Sequence, residues 1–445
     1  MAGNLETRIY RQFDTTPLRA DQTDLYVDLD SVRGSSGIVH RIMERIQMAG
    51  RDTAQVLAGH NGSGKSTELY LLQQALETGT PKYFVVFCRS DDDLDRNDID
   101  FPEILIAVVR QLAKQLRERE HIELKPGYFK DRWERLAALM KVKVEFQDAK
   151  LEVGMLKLGA AIKNSPDARL EVRKLLEPDA GNWLDAANDV ISEAMLELQK
   201  KGYAGLVILV DDLDKMIVRP HADAGCNTAE YLFIHRSAQL TAFKCHMVYK
   251  MPLSLAYSHH EATIKKLYGG HVPVVPMIKI ATPPPANRPH EKGIDKMEEM
   301  VLSRLKVARA TTEEVFQKPA ILRELIKLSG GQPTELMTLL RESIISGGLP
   351  LNRESLKRAT REGQREYARQ LRREHWPIIE EVRQTGQAIR DNDNEAAIRE
   401  LLDSRAIVQY VNDIEWYGLN PMVASLKPPS PLPTATPVPP AAGQP

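Results

Sequence analysis

The sequence predicts an α/β protein with a doubly wound parallel-sheet core, a helical lid and a C-terminal winged-helix-like domain. Short apolar, β-branched segments alternate with longer helical patterns, which is typical of parallel α/β architecture. Several of these segments are apolar on both faces, as a strand that is covered by helices on both sides requires. Near the end of the chain, helical patterns are followed by two alternating segments, which indicates a winged helix.

The composition is that of an ordinary globular protein, with 42% hydrophobic and 27% charged residues among 445. Its 60 basic and 61 acidic side chains give a formal net charge of -1, so gross charge indicates no class of partner. Collagen-like, coiled-coil and wholly disordered chains are excluded, and the length allows about two to four domains. The three cysteines form no CxxC pair, and neither a signal peptide nor an apolar run of about 18 residues occurs. We therefore expect a cytoplasmic protein without a membrane segment.

Five short apolar segments are predicted to be the core strands. They are Gln55–Ala58, Tyr83–Cys88, Leu206–Val210, Cys245–Met251 and Val272–Ile280. The connection between the second and third segments is far longer than is usual in α/β folds, which indicates an insertion. Within it the patterns predict a helix from Pro102 to about Arg119, a second helix near Asp131–Met140 and a β-hairpin over Val142–Ile162.

The region after the core begins with a proline-rich linker, Ala281–Gly293, that no helix or central strand accommodates. Helices are expected to about Gly348 and again from Asn352, followed by a hairpin over Ile407–Leu419 around an Asn-Asp turn. The predicted divisions are a segment 1–52 that packs on the core, a core 53–285 with an insertion at about 120–180, a lid 286–350, a winged-helix-like domain 351–427 and a disordered tail 428–445.

The strongest local motif is the string GHNGSGKST, which satisfies G-x-x-x-x-G-K-[ST] between a predicted strand and a predicted helix. Gly62 and Gly64 allow backbone N–H groups to turn toward phosphate oxygens at positive φ, where a Cβ would obstruct the approach. Lys65 offers a cation to the β- and γ-phosphates, and the Ser66 hydroxyl completes a Mg²⁺ coordination sphere. The residues expected to contact a nucleotide are Gly59, His60, Asn61, Gly62, Ser63, Gly64, Lys65, Ser66 and Thr67.

An acidic strand end is expected to complete this site. The run LVILVDDLDK places Asp211 directly after a buried strand, at the edge where ligands gather in open α/β sheets. We expect Asp211 to be the magnesium carboxylate and Asp212 to orient or deprotonate the attacking water, with Asp214 a weaker candidate. The alternative for an isolated Asp-Asp pair is a helix cap or a solvated turn.

These two strings together resemble the P-loop ATPases of the AAA+ and STAND type, as in origin-recognition-like and NACHT-like proteins. In layout the resemblance covers roughly Thr53 to Pro350, and the two motifs carry it. It implies a polar residue that senses the γ-phosphate on the strand after the aspartates, which is Lys250 here, where threonine, serine or asparagine is commoner. It also implies a nucleotide-facing arginine in the lid, for which Arg341 is the candidate. The alternatives are a structural charge for Lys250 and a surface salt bridge for Arg341.

Two further strings have more than one interpretation, and one expected string is absent. LSGGQ (Leu328–Gln332) is like the ABC-transporter signature, but it follows the acidic strand instead of preceding it, so a helix C-cap followed by a new helix is preferred. No [NT]-K-x-D string that would read guanine occurs, which favours ATP. Asp91–Asp100 is either a second cation site or, preferably, a solvated loop that caps the next helix.

A row of basic residues recurs at every fourth position before the predicted winged helix. Its members are Arg353, Lys357, Arg361, Arg365, Arg369 and Arg373. The row is suited either to nucleic-acid phosphates or, because glutamates lie three and four positions away, to a solvated salt-bridged face.

The function expected from these motifs is an ATP-binding and ATP-hydrolysing molecular switch that uses Mg²⁺, with Lys65, Ser66, Asp211 and Asp212 as the hydrolytic residues. Its expected partners are further copies of the chain or a protein effector, in a regulatory or conflict system. The alternatives are a DNA-handling ATPase that uses the basic row, and a nucleotide-dependent scaffold that does not hydrolyse.

Overall fold

The computed structural model describes residues 5–34, 37–89, 93–124, 134, 159–391, 393–411 and 414–428. Nearly all of the predicted helix near Asp131–Met140 and of the predicted hairpin Val142–Ile162 lies outside the described residues. The predicted tail lies outside them from residue 429 onward.

The core is a five-stranded parallel sheet with the strand order β2-β3-β4-β1-β5. Its strands are β1 (Ala54–Gly59), β2 (Tyr83–Arg89), β3 (Gly205–Asp211), β4 (His246–Lys250) and β5 (Val274–Val275). The predicted parallel α/β core is therefore confirmed. Strand β4 lies between β3 and β1, so the end of β3 and the end of β1 are one strand apart.

Successive residues of the central strands pack into apolar clusters on opposite faces of the sheet. On β3, Val207 and Leu209 belong to one cluster, whereas Ile208 belongs to the other. Because the side-chain period of a strand is two, only a sheet with helices on both faces buries all of these residues. Each fully buried side chain of this kind contributes about 1.5–3 kcal/mol to folding.

Among the described residues, the helices of seven or more residues are, in chain order, α1 (Leu5–Gln12), α2 (Ile38–Met48), α3 (Lys65–Thr78), α4 (Phe101–Glu120), α5 (Pro166–Leu176), α6 (Ala180–Lys200), α7 (Glu261–Leu267), α8 (Glu291–Ala308), α9 (Pro319–Leu328), α10 (Pro333–Gly347), α11 (Arg353–Gln370), α12 (His375–Thr385) and α13 (Glu395–Asp403). Shorter helical turns cover Thr23–Leu25, Asp30–Arg33, Glu177–Asp179, Leu213–Lys215, Thr228–Glu230, Tyr231–His235, Ser237–Leu240, Leu253–Ala256, Thr312–Val315 and Pro421–Ala424.

The fifth predicted strand is much shorter than expected. It was predicted over Val272–Ile280, but only Val274–Val275 pairs with β1. The flanking Pro273 and Pro276 have no N–H to donate to a ladder, so the pairing cannot extend. Beyond it the backbone N–H of Met277 donates to Gln409 instead, 3.2 Å away, which joins the core to the C-terminal hairpin.

Helix α4 begins and ends within one residue of its predicted bounds. Asp100 caps it and forms a capping box with Glu103, so the cap expected at the end of the acidic loop is confirmed. The described aspartates before it, Asp93, Asp95 and Asp98, are paired with arginines, as in the 2.7 Å contact between Asp93 and Arg110. The described part of this loop is therefore an ion-paired connection.

The lid region consists of α8, α9 and α10, and the N-terminal helix α1 packs against α8 and α10. Helix α9 ends at Leu328 and α10 begins at Pro333, with Gly330 and Gly331 between them at φ 63° and 75°. A Cβ on Gly331 would lie 1.9 Å from the Ile278 carbonyl oxygen, so this position requires glycine. The LSGGQ string is thus a helix end followed by a new helix, as preferred from the sequence.

Helices α11, α12 and α13 precede an antiparallel hairpin of β6 (Ile407–Val411) and β7 (Glu415–Leu419). The two strands of the predicted hairpin are confirmed, and so is the order of helices and then hairpin. The Asn-Asp turn between the strands lies outside the described residues. The winged-helix assignment and the predicted domain boundaries stay predictions. Within the described ranges, the apolar stretches of the helices are too short or too charged for a bilayer span.

Candidate nucleotide site

The phosphate loop connects β1 to α3, which is the setting that its motif requires. Gly62 and Gly64 have φ angles of 80° and 103°, in the left-handed region where a side chain is strained. Helix α3 begins at Lys65, so its N-terminal N–H groups and the positive end of its dipole face the loop. The sequence motif thus forms a loop that is built to surround an anion.

A cavity of about 640 Å³ lies beside this loop, within the range of small-molecule sites. One wall is the phosphate loop, and the others come from the N-terminal segment and the lid. The apolar part of the lining includes Leu18, Leu25, Tyr26, Val27, Leu29, Met300 and Met337. The cavity therefore offers an apolar compartment next to an anion-binding loop.

Lys65 is buried and turned toward the strand ends. Its Nζ donates to the carbonyl oxygens of Gly59 and His60, at 2.5 and 2.7 Å, and lies 2.9 Å from Asp214 Oδ2. Burial lowers the pKa of Lys65, and the Asp214 carboxylate partly offsets this. Burial raises the pKa of Asp214, but the ammonium groups of Lys250 and Lys65 outweigh it and hold that pKa at about 2. Asp214, the weaker candidate from the sequence, is thus the direct partner of the loop lysine.

The acidic end of β3 lies against the start of α3. Asp211 Oδ1 accepts from the Ser66 hydroxyl at 3.3 Å and from the backbone N–H of Asp212 at 2.7 Å. Asp212 is also buried, with a φ of 64°. The carboxylates of Asp211, Asp212 and Asp214 each place an oxygen within 4.8 Å of the others, the one such cluster in the described part of the chain.

Lys250 lies at the centre of this cluster. Its Nζ is 3.0 Å from Ser66 Oγ, forms an ion pair with Asp211, and is 3.3 and 3.6 Å from oxygens of Asp214 and Asp212. Its side chain is only 2% exposed. Burial lowers the pKa of Lys250, but the three carboxylates outweigh it and raise that pKa above its ordinary value. Lys250 is therefore a charged member of the site.

The donor chemistry of the site fits Mg²⁺, which prefers hard oxygen ligands. The Ser66 hydroxyl and the Asp211 carboxylate are such ligands and lie within hydrogen-bond distance of each other. The same two groups also hold the ammonium of Lys250. A metal ion at this site would therefore bind the same two oxygens, Ser66 Oγ and Asp211 Oδ1, that Lys250 contacts.

Arg341, the lid arginine chosen from the sequence, contacts the N-terminal segment. It donates to the Tyr10 hydroxyl at 2.8 Å, lies over the Tyr10 ring and pairs with Asp14 at 3.3 Å. The cavity is lined by Pro333, Thr334 and Met337 of the same helix, but not by Arg341. Contact between Arg341 and a nucleotide stays a prediction.

Four arginines line the cavity: Arg33, Arg96, Arg304 and Arg405. No motif in the sequence marks any of them. Arg33 is buried and donates to Glu68 and to the Ser63 carbonyl oxygen, both at 2.5 Å, which braces the phosphate loop. Arg304 on α8 donates to the Met300 carbonyl oxygen at 2.8 Å, and burial lowers its pKa to about 10. Among the described residues, no carboxylate lies at ion-pair distance from Arg304.

The lid and the C-terminal hairpin both contact the phosphate loop. Gln332 donates to the Asn61 carbonyl oxygen at 2.5 Å, and the backbone N–H of Thr334 donates to the Gly62 carbonyl oxygen at 3.4 Å. From β6, the backbone N–H of Gln409 donates to His60 Nε2 at 2.8 Å. Burial lowers the pKa of His60 to about 3, so the ring is neutral and accepts this bond.

The basic row lies on the surface of α11 and just beyond its end. All six side chains are exposed. Arg365 is 3.4 Å from Glu362, and Arg353 is 4.0 Å from Glu324. The other four, Lys357, Arg361, Arg369 and Arg373, make no ion pair with the described residues. The row is thus only partly neutralised by the glutamates around it.

Solved structures similar to this chain include a Walker-type ATPase of Pyrococcus abyssi, with a TM-score of 0.46 and 14% identity, over 93% of this chain and 99% of that chain. Another is Cdc6p from Pyrobaculum aerophilum, with a TM-score of 0.36 and 12% identity, over 89% of this chain and 96% of that chain. No protein-family model and no curated protein matches the sequence.

The site and the sheet point to the same architecture. The sheet brings the phosphate loop after β1 and the acidic end of β3 to one edge, with Ser66 against Asp211. This arrangement is the one that the two sequence motifs predict. The chain therefore has the core fold of a P-loop ATPase.

Proposed function

We propose that this protein is an ATP-binding and ATP-hydrolysing molecular switch of the AAA+/STAND type. The observation that carries the proposal is the convergence of Lys65, Ser66 and Asp211 beside a cavity of about 640 Å³. The apolar lining is suited to a nucleobase, and the loop is suited to the phosphates. The proposed cofactors are ATP and Mg²⁺, the metal being held by Ser66 and Asp211.

The proposed chemistry assigns one task to each polar group. The loop N–H groups and the end of α3 bind the phosphates, and Lys65 neutralises the charge that develops on the γ-phosphate. Asp212 accepts a proton from the attacking water or orients it. Bound Mg²⁺ supplies additional positive charge to the phosphate oxygens. For Lys65 to reach a phosphate, its Nζ exchanges the carbonyl oxygens of Gly59 and His60 for phosphate oxygens.

The switch is proposed to act through the contacts that the loop makes with the rest of the chain. Gln332 and Thr334 bond the loop from the lid, and Gln409 bonds it from the C-terminal hairpin. A nucleotide that reorganises the loop changes both sets of bonds at once. Such γ-phosphate-dependent rearrangement is a general switching mechanism. Further copies of the chain or a protein effector are the proposed readers of this change.

A second candidate function is a DNA-handling ATPase. The observation that favours it is the exposed basic row on α11, four of whose members make no ion pair with the described residues. Such a row suits the phosphates of a duplex, because neutralised phosphates release counterions. This candidate keeps the same ATP site and adds a nucleic-acid partner.

Steady-state ATP hydrolysis by the purified protein, with and without duplex DNA, tests both candidates. The Lys65→Ala variant provides the blank. Turnover above this blank supports an ATPase, and strong stimulation by DNA favours the DNA-handling candidate. Slow turnover that is indifferent to DNA favours a switch with a protein partner. Turnover equal to that of the blank, with ATP still bound by the wild type, would contradict hydrolysis.

A further inference from the structure

The cation at the centre of the acidic cluster is part of the chain itself. The Nζ of Lys250 contacts Ser66 and Asp211, the two groups that are proposed to hold the metal. It also lies within 3.6 Å of Asp212 and Asp214. An ammonium group therefore already meets each oxygen donor that a metal would use here.

The charges of the cluster balance without a metal. Three carboxylates, those of Asp211, Asp212 and Asp214, are within 4.0 Å of three lysine ammonium groups. Lys250 contacts all three carboxylates, Lys65 contacts Asp214 at 2.9 Å, and Lys215 contacts Asp212 at 2.5 Å. Before a nucleotide binds, a divalent ion added beside Lys250 would leave a buried excess of positive charge, which is costly in a site of low dielectric.

The backbone holds Lys250 in this position. Lys250 is the last residue of β4 and pairs in parallel register with Leu57 of β1, between the two strands that carry the site. The residue is 1% exposed, so water does not solvate its ammonium group, and the buried carboxylates are the partners of that charge. The threonine, serine or asparagine expected from the resemblance would supply a polar contact but no charge.

We infer that Lys250 is a built-in counter-ion that takes the place of the metal when the nucleotide binds, so that a nucleoside triphosphate binds here without Mg²⁺. This inference rests on the proposed function, since it concerns the same site. Lys250 and a metal ion compete for Ser66 and Asp211. Nucleotide binding therefore does not require a metal ion, whereas hydrolysis does. For hydrolysis, the Lys250 ammonium has to move away from Ser66 and Asp211 so that the metal can bind there.

The test on the wild type is a titration with a nonhydrolysable ATP analogue, once with Mg²⁺ and once with EDTA. We expect dissociation constants within about threefold of each other, a free-energy difference below about 1 kcal/mol. Binding that weakens by more than about thirtyfold in EDTA would overturn the inference. Absence of binding in both conditions would instead contradict the proposed function, so the two failures are distinguishable.

The same titration on Lys250→Met removes the charge with little change in length. We expect its binding to depend on Mg²⁺ by at least about tenfold. The matched control is Lys215→Met, which removes a lysine from the rim of the same cluster without touching Ser66 or Asp211. The control is expected to bind in EDTA as the wild type does, and equal Mg²⁺ dependence in both variants would contradict a specific role for Lys250.

A direct metal titration covers the case in which Lys250→Met fails to fold. Mn²⁺ is added to the nucleotide-free wild type, and bound ion is measured by electron paramagnetic resonance. We expect no ion at the cluster while Lys250 fills it. A tightly bound ion that Asp211→Asn removes would overturn the inference.

Discussion

At the scale of single residues, the candidate site is a set of buried charges that neutralise one another. Lys65, Lys250, Asp211, Asp212 and Asp214 are each at most 8% exposed. In such surroundings the loss of one partner leaves another charge uncompensated, so stability and ligand binding have to be measured separately for every variant. The predictions at this scale therefore pair a binding or rate measurement with an unfolding measurement.

Lys65→Ala is expected to lower ATP affinity by at least about tenfold, because the loop loses its cation for the phosphates. The fold should persist, since Asp214 keeps its 3.3 Å contact with Lys250. We expect a loss of about 1–3 kcal/mol in the free energy of unfolding. Isothermal titration calorimetry and urea unfolding give the two numbers, and undiminished affinity would refute the assignment of Lys65 to phosphate binding.

Asp212→Asn is expected to reduce turnover by about a hundredfold or more while ATP affinity changes by less than about threefold. The physical reason is that an amide has no charge with which to accept a proton from water. Comparing the rate of a single turnover with the dissociation constant checks this. Equal losses in both would indicate that Asp212 is structural.

Arg304→Met is expected to weaken ATP binding by about tenfold, because the guanidinium lines the cavity with no carboxylate partner among the described residues. The free energy of unfolding should stay level or rise, since a buried charge without an ion pair is removed. Arg341→Met is the matched change at the lid arginine that the resemblance implies, and it tests that expectation. A larger loss of ATP affinity in Arg341→Met than in Arg304→Met would show that Arg341, not Arg304, is the more important lid arginine for ATP binding.

At the scale of elements, the phosphate loop is bonded on two sides by parts of the chain far away in sequence. Lid residues Gln332 and Thr334 bond its carbonyl oxygens, and β6 bonds the His60 ring. These bonds join the core, the lid and the C-terminal hairpin at one loop. A conformational change of the phosphate loop therefore alters its hydrogen bonds to both the lid and the C-terminal hairpin.

The burial of His60 makes stability depend on pH. Burial lowers the pKa of His60 from 6.5 to about 3, so the unfolded chain binds a proton that the folded chain does not bind between these values. This group therefore costs stability as pH falls below about 6.5, by up to about 1.4 kcal/mol per pH unit. Urea unfolding at several pH values measures the effect.

The control for this pH dependence is His60→Gln, whose side-chain oxygen can still accept from Gln409 but does not titrate. We expect the wild type to lose stability faster than this variant as pH falls from 6.5 toward 4. Parallel curves for the two proteins would show that His60 does not titrate in the way its burial implies.

At the scale of the whole molecule, the net charge is close to zero, although α11 carries an exposed row of basic residues. The average over 60 basic and 61 acidic side chains gives no long-range attraction to DNA. Any such binding would come from the local row, and its affinity would fall steeply with salt.

Charge reversal at Arg361 and Arg365 tests this row. If DNA is a partner, the double variant should bind duplex DNA at least about tenfold more weakly and with a shallower salt dependence, because fewer counterions are released. Lys306→Glu with Lys327→Glu makes the same change in net charge at exposed positions on α8 and α9, and should bind as the wild type does. Fluorescence anisotropy over a range of salt concentrations measures this. Equal weakening in both double variants would remove the row as a specific site.

Much of the fold was predictable, because its signals are local. A buried parallel strand needs a continuous apolar run, and a phosphate loop needs glycines and a lysine at fixed spacing, so both are readable from neighbouring residues. The edge strand was overestimated, because Pro273 and Pro276 limit pairing more than apolar character extends it.

The sequence by itself determined the parallel core, the phosphate loop and the acidic strand end, since each depends on residue types at adjacent positions. Only the tertiary structure decided that Lys250 enters the cluster, that Arg304 lines the cavity and that Gln409 reaches His60. The physical reason is that these contacts join residues far apart in the chain. Which charges become neighbours depends on strand order and on the path of the lid, and no local pattern records either.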